Sequence, residues 1–269
     1  SGFGAGICRK FVAEGAQVIV ADLNLEAALV VAAHLGPAAR ALRVDVSQAA
    51  DVRTMVDAAE QHFGRLDILV NNAGGTVPSP SVDAVPALVS RIQGAPASDD
   101  DYERSVLFHS HAVQMNLISP LWFAIRAYRQ MKTQDGVGCI VNVSSGAGHP
   151  AGSPTLVSYG AAKAGLNQMT RSLAQEWGPN VRVNCVALGP TITENFRSFV
   201  LPKDDPTGSE YFKNIPLRRG GEPAEVGRTI VFLASGAAEF VNGTTIEIDG
   251  GMLPGVLYDA GLKTITDLL

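Results

Sequence analysis

A tyrosine and a lysine four positions apart are the residues of this sequence best suited to chemistry. They occur as Tyr159-Gly-Ala-Ala-Lys163, and on a helix this separation places both side chains on one face. A phenol has a pKa of about 10 and is a poor acid or base near neutrality, but a nearby cation stabilises the phenolate and lowers that pKa. The pair predicts proton transfer to or from a bound molecule, with Lys163 as the cation. The alternative is two polar residues on the surface of a helix.

Hydroxyl groups end the apolar run that precedes this pair. The run Val141-Asn-Val-Ser-Ser145 reads as a buried strand, and ligands of open α/β sheets bind at the carboxyl ends of the strands. We expect Ser145 to hold a substrate oxygen. The alternative is that the two serines cap a turn.

Glycines at the beginning of the sequence indicate an anion site. Gly2, Phe3 and Gly4 run directly into a helical pattern, so free backbone N–H groups at a helix N-terminus can face a phosphate, and glycine permits its close approach. This start of the chain predicts the phosphate end of a dinucleotide site, although glycines are equally typical of a flexible terminus.

An acidic residue follows at the spacing expected for a dinucleotide site. Asp22 ends the first apolar run, 18 positions after Gly4, with Leu23 beside it, and an acid near this spacing binds the adenosine ribose. Its carboxylate would accept hydrogen bonds from the ribose hydroxyls and repel the extra phosphate of NADP. Asp22 therefore favours NAD over NADP; its other interpretation is a helix N-cap.

Two further polar segments follow the next apolar runs. Asp45 and Val46 come after the second run and are candidates for the adenine pocket, and Asn72, Ala73 and Gly74 come after the third. Both segments are also typical of structural turns.

Short β-branched runs alternate with helix-length segments, which predicts parallel strands joined by helices. The runs are apolar on both faces, as a sheet covered by helices on both sides requires. The expected fold is α/β, a doubly wound parallel sheet in a Rossmann-like three-layer αβα sandwich, as one domain over residues 1–269. The predicted strands are 18–21, 42–44, 66–70, 139–143, 181–187 and 244–248, and the predicted helices are 4–14, 25–35, 49–63, 115–132, 156–177 and 223–234.

Composition excludes several classes of protein. The chain is 46% apolar and 17% charged with a net charge of −5, and its basic residues form no stripe that would bind nucleic acid. No apolar run reaches the roughly 20 residues that span a bilayer. Three separated cysteines, Cys8, Cys139 and Cys185, indicate buried reduced thiols and a cytoplasmic protein.

Two regions depart from the alternating pattern. Residues 76–111 read as a long surface excursion with room for a short helix. Residues 193–218 contain several aromatic residues and predict an apolar substrate lid or subunit packing. His109 and His111 lie near the excursion, but no third ligand accompanies them, so we expect no metal.

These motifs together resemble those of the classical short-chain dehydrogenase/reductase family, over nearly the whole chain. The resemblance implies that Tyr159 is the general acid or base and that Lys163 binds the nicotinamide ribose and tunes Tyr159. It also implies that Asn116 supports a water-linked proton relay and that Thr191 and Thr193 anchor the nicotinamide carboxamide. The matching positions, in family order, are Gly2-Phe3-Gly4, Asp22, Asp45-Val46, Asn71-Asn72-Ala73-Gly74, Asn116, Ser145, Tyr159, Lys163 and Asp249-Gly250-Gly251.

The sequence departs from the family pattern in several places. Leu188 stands where the family has proline, which we expect to loosen a turn, and Asn72 and Asn116 are unusually far apart. The family's first strand and its opening Thr-Gly would precede Ser1. Without that strand, two neighbouring strands would lack a partner and an apolar slot would open in the core.

The leading hypothesis is an NAD(H)-dependent oxidoreductase of a secondary alcohol or its ketone, which relatives imply is a homo-oligomer, either a dimer or a tetramer. One alternative is an NADP-dependent reductase of an oxoacyl chain or a secondary-metabolite ketone. Another is a non-catalytic protein that senses dinucleotides or binds a partner.

Overall fold

Parallel strands alternate with helices along the chain, as the sequence predicts. The structure is a computed structural model and describes residues 2–75, 99–150, 156–199, 201 and 204–252. The strands are β1 (Val18–Asp22), β2 (Ala39–Arg43), β3 (Ile68–Asn71), β4 (Gly138–Ser145), β5 (Val181–Leu188) and β6 (Thr245–Ile248). The helices are α1 (Gly2–Ala13), α2 (Leu25–Leu35), α3 (Ala49–Phe63), α4 (Asp99–Val113), α5 (Ser119–Met131), α6 (Val157–Trp177), α7 (Glu194–Phe199), α8 (Ser209–Phe212) and α9 (Pro223–Ala234).

The region expected to be a surface excursion ends in regular structure. Residues 99–113 form a helix of 15 residues, α4, which continues through a π-turn at Gln114–Ile118 into α5. A short helix was expected within this region, and α4 is longer than that expectation, because the polar start of α4 hid its helical pattern. Residues 76–98 lie outside the described residues.

The strands fall into two parallel groups. β1 pairs with β2, and β3, β4, β5 and β6 pair in that order. In the longer group, β4 pairs with β5 from Gly138 opposite Val181 to Ser145 opposite Leu188. Their shared register brings the carboxyl ends of both strands to one edge of the sheet, which is where the polar motifs lie.

Helices cover both faces, which confirms the three-layer architecture. On one face, Phe123, Met131 and Leu173 from α5 and α6 pack on Ile140 of β4. On the other face, α1 and α9 bury Phe11, Ile230 and Leu233 against β4 and β5, and α2 packs its alanines on β1 and β2.

A slot separates the two groups of strands. Among the described residues, β1 and β3 do not pair with each other, and each pairs on one side only. A cavity of about 1030 Å³ lies between them, lined by Val18, Val20 and Ile19 on one side and by Ile68 and Val70 on the other. The two groups of strands therefore leave a slot between them, and residues of α1, α3 and α5 also line it.

No helix in the described ranges has both the length and the apolar character needed to cross a membrane.

Candidate active site

Strand β4 and helix α6 bring the candidate catalytic residues together. The Ser144 hydroxyl donates to the Lys163 carbonyl (3.1 Å), and Asn142 Nδ2 donates to Thr170 Oγ1 (2.9 Å). Thr170 lies 11 residues, about three helical turns, after Tyr159, so both belong to the face of α6 that meets the sheet. These bonds fix the position of α6 along β4 and hence that of Tyr159 beside Ser145.

The three predicted catalytic side chains form one group. The hydroxyls of Ser145 and Tyr159 share a hydrogen bond. Lys163 Nζ lies 5.6 Å from the centre of the Tyr159 ring and donates a 2.8 Å hydrogen bond to the carbonyl of Val143. A phenol, a hydroxyl and an ammonium group therefore converge at the carboxyl end of β4.

Burial shifts the pKa of both ionisable groups. It raises the pKa of Tyr159 above its usual 10.0, and the hydrogen bond with Ser145 lowers it by less. It lowers the pKa of Lys163 from 10.5 to about 8, with a smaller opposing effect of Cys185. The sequence predicted a lowered Tyr159 pKa. The shift has the opposite direction in the structure, because the free energy lost when the phenolate is removed from water exceeds the free energy gained from its hydrogen bond with Ser145.

Asn116 occupies the π-turn between α4 and α5 and is fully buried. Its Nδ2 donates to the carbonyls of Gly75 and Ala112, both at 2.9 Å, and its Oδ1 accepts from the Gly75 N–H at 3.2 Å. A Cβ on Gly74 would lie 2.6 Å from Asn116 Oδ1 and 3.7 Å from Lys163 Nζ. The predicted relay residue thus lies at the active site and fixes the loop after β3.

The predicted phosphate and nicotinamide segments converge at the start of α1. A Cβ placed on Gly2 would lie 3.7 Å from Thr193 Cγ2, and one placed on Gly4 would lie 3.2 Å from Asn72 Nδ2. Gly2 has a φ of +57°, a left-handed conformation that favours glycine. Segments that are far apart in sequence therefore meet around the N–H groups of one helix N-terminus, with Phe3 packed beneath against the core.

Asn72 gives a direct test of whether a cofactor fits here. Its Oδ1 is buried and has no hydrogen-bond partner. An amide oxygen in this state is costly unless a ligand supplies a donor. The orphaned oxygen, the glycines and the helix N-terminus fit a dinucleotide, which carries both hydroxyl donors and phosphates.

The two predicted adenosine contacts also make structural bonds. Asp22 ends β1, and its Oδ1 accepts from the Asn24 N–H at 3.0 Å, while Leu23 beside it is exposed. Asp45 Oδ1 accepts from the N–H (3.0 Å) and hydroxyl (2.6 Å) of Ser47. Both carboxylates therefore stabilise the turns that follow their strands. Both residues, with Val46 and Ala73, line the slot between β1 and β3.

The predicted carboxamide anchor follows β5. Thr191 is buried and donates to the Gly189 carbonyl (3.2 Å), and Thr193 Oγ1 accepts from the Phe196 N–H (3.1 Å) at the start of α7. Leu188 does not loosen the turn as we expected. It remains within β5, opposite Ser145 and Ile248, because a residue with an N–H can continue the ladder that proline would end.

Two contacts near the site were not foreseen. His109 on α4 lies 2.8 Å from the Ser158 hydroxyl, measured from Nδ1, so the helix after the excursion contacts the residue before Tyr159. Asn71 Nδ2 donates to Asn142 Oδ1 at 2.9 Å and joins β3 to the Asn142–Thr170 bond. Only the alternation of polar residues within apolar strands could have indicated the second contact.

Comparisons with known proteins agree with this geometry. A family model described as enoyl-(acyl carrier protein) reductase matches residues 1–253. D-threitol dehydrogenase of Mycolicibacterium smegmatis is 36% identical over 93% of this chain and 88% of its own length. 4-Formylbenzenesulfonate dehydrogenase of Comamonas testosteroni is 38% identical over 93% of both chains.

A solved structure supports the same assignment. The short-chain dehydrogenase/reductase of Brucella melitensis, titled glucose/ribitol dehydrogenase, superposes with a TM-score of 0.72 at 29% identity, over 94% of this chain and 92% of that one. Neither alternative raised by the sequence, an oxoacyl reductase or a non-catalytic protein, is favoured by these similarities. The chain belongs to the classical short-chain dehydrogenase/reductase family and is an oxidoreductase that transfers hydride between a nicotinamide cofactor and an alcohol or ketone.

Proposed function

We propose that the chain is an NAD(H)-dependent secondary-alcohol dehydrogenase or ketone reductase in which Tyr159 is the acid or base. The observation that carries the proposal is the group formed by Ser145, Tyr159 and Lys163. The two hydroxyls are hydrogen-bonded, and the ammonium nitrogen lies 5.6 Å from the phenol ring.

Ser145, Tyr159, Lys163 and Asn116 have different roles in the reaction. In reduction, Tyr159 donates its phenolic proton to the substrate oxygen, and in oxidation the phenolate takes it back. Ser145 donates a hydrogen bond that orients that oxygen. Lys163 stabilises the phenolate and binds the nicotinamide ribose, and Asn116 supports the relay that returns the proton to solvent. The cofactor, when bound, supplies or accepts the hydride.

The cofactor would lie along the carboxyl ends of β1, β3, β4 and β5. The start of α1 would hold its phosphates, and Asp22 would accept hydrogen bonds from the adenosine ribose, which favours NAD. The register partner of Asp22 on β2 is Arg43, a cation that would suit a 2′-phosphate if the acid were removed. The residues proposed to contact the cofactor are Gly2, Phe3, Gly4, Asp22, Leu23, Asp45, Val46, Asn72, Ala73, Gly74, Tyr159, Lys163, Thr191 and Thr193.

Cofactor binding and turnover of the purified chain test the proposal separately. NADH and NADPH would be titrated by cofactor fluorescence and by thermal stability, and a tighter complex with NADH is expected. Tyr159→Phe should bind NADH within a few-fold of wild type and lose about 10²–10⁴-fold in kcat, because only the proton is removed. Substantial turnover by Tyr159→Phe would contradict the assigned role.

We also propose a homo-oligomeric, cytoplasmic protein. Leu107 of α4 (70% exposed) and Val157 of α6 (54%) are apolar residues on neighbouring helices, which suits a contact between copies of the chain. Cys8, Cys139 and Cys185 are all free thiols, consistent with a reducing compartment. Light scattering of the purified protein would measure the oligomeric state, and a monomer would contradict the proposed homo-oligomer.

A further inference from the structure

An apolar cluster packs between α7, α8 and the chain after β6. Leu201, Phe212 and Ile215 form its buried centre, and Ile192, Phe196, Tyr211 and Met252 pack around them as partly exposed members. Phe196 meets Tyr211 edge-on, with the ring centres 5.5 Å apart, and stacks on Phe212 at 6.0 Å. We call these seven residues the aromatic wall.

The aromatic wall reaches the active site from two directions. A Cβ placed on Gly146, the residue after Ser145, would lie 3.3 Å from the methyl carbon of Met252. Ile192 lies between Thr191 and Thr193, the proposed carboxamide contacts. The wall therefore lies next to the substrate-orienting hydroxyl and to the nicotinamide segment, which makes it the apolar surface nearest to the proposed reacting carbon.

Six of the seven residues of the aromatic wall are apolar, and the exception is a tyrosine. Burial raises the pKa of Tyr211 to about 12, so its hydroxyl stays uncharged at physiological pH and is the one hydroxyl in the wall. A polyol would have to place its remaining hydroxyls mainly against methyl and ring carbons, where most of them would lose hydrogen bonds to water without replacement. An aromatic ring would instead bury its faces against the thioether and the rings.

We propose that the substrate is a secondary alcohol or ketone with an aromatic or similarly apolar group attached to the reacting carbon, and that Met252 contacts this group. This inference rests on the proposed function. It narrows the substrate class that Ser145 and Tyr159 act on.

A matched pair of alcohols tests the inference. 1-Phenylethanol and D-threitol both carry a secondary alcohol, and they differ in the apolar or polar character of the neighbouring group. With NAD, kcat/KM for 1-phenylethanol should exceed that for D-threitol by at least about tenfold. Met252→Gln, which keeps the length of the side chain, should lower kcat/KM for 1-phenylethanol about tenfold, mostly through KM, and should leave NADH binding unchanged.

A control variant and the remaining outcomes separate this inference from the proposed function. Val137→Gln changes an exposed apolar residue before β4, at the opposite edge of the sheet, and should have no effect on either alcohol. Equal or better use of D-threitol, or no use of either alcohol by protein that binds NADH, would overturn the substrate class and leave cofactor binding intact. Failure to bind NADH would overturn the proposed function itself.

Discussion

At the scale of single residues, the active site combines two ionisable groups whose charged forms are both disfavoured by burial. The pKa of Tyr159 is raised and that of Lys163 is lowered, each with burial as the largest cause. A raised tyrosine pKa keeps the phenol protonated and able to donate its proton to a ketone. The lysine remains largely charged at neutral pH, which is the state that stabilises a phenolate formed by that donation.

The buried lysine predicts a specific dependence of stability on pH. Its pKa is about 8 in the folded state and 10.5 in the unfolded state, so between these values the unfolded chain binds more protons. The free-energy cost of burying the charged lysine is absent above pH 10.5, and it reaches its full value of about 3 kcal/mol when the pH has fallen through about 8. As the pH rises over this range, the unfolding free energy of the wild type, measured by urea unfolding, should increase by this amount relative to that of Lys163→Met. A difference independent of pH would show that Lys163 is not desolvated.

Asp22 predicts the choice of cofactor. Replacing it with serine removes the charge that repels a 2′-phosphate and leaves Arg43 as its register partner. The ratio of Kd for NADPH to Kd for NADH should therefore fall at least about tenfold in Asp22→Ser, which corresponds to about 1.4 kcal/mol. The exposed turn residue Asp135, changed to serine, is the matched control. An unchanged ratio in Asp22→Ser would place the ribose away from this carboxylate.

At the scale of elements, buried hydrogen bonds set the position of α6 on the sheet. A chain of amides and a hydroxyl runs from Asn71 on β3 through Asn142 on β4 to Thr170 on α6. Thr170 and Asn142 are both fully buried. Because an apolar interface alone permits small slips of a helix along a strand, these directional bonds are what fix Tyr159 opposite Ser145.

Thr170 gives the test of this interface. Thr170→Val keeps the shape of the side chain and removes the only hydroxyl bonded to Asn142 Nδ2 in the described contacts, which leaves a buried donor unpaired. We expect a loss of about 1–3 kcal/mol in unfolding free energy. Thr170→Ser retains the hydroxyl and should be destabilised less, measured by urea unfolding of both variants. A larger loss in Thr170→Ser than in Thr170→Val would mean that the methyl group, and not the bond, holds α6.

At the scale of the whole molecule, the slot divides the sheet. Among the described residues, β1 and β3 each pair on one side only, and a cavity of about 1030 Å³ lies between them. The residues proposed to bind the adenosine ribose lie at the carboxyl edge of this slot.

Much of the fold was readable from local pattern. The apolar runs predicted each strand core, and α2, α3 and α9 begin and end at the predicted residues. The helix at Asp99–Val113 was expected only as a short helix within a surface excursion, since its start is polar and packing against α6 stabilises it. The end of β5 at Leu188 was missed, because it depends on pairing with a distant strand.

The sequence alone determined which chemical groups the site contains and their order along the chain, because motif spacing and strand–helix alternation are local properties. Tertiary structure decided what those groups can do. The meeting of Gly2 with Thr193, the buried oxygen of Asn72 and the contact of Met252 with the residue after Ser145 all join distant segments. The direction of the Tyr159 pKa shift also depends on tertiary structure, since burial is the sum of everything packed around a side chain.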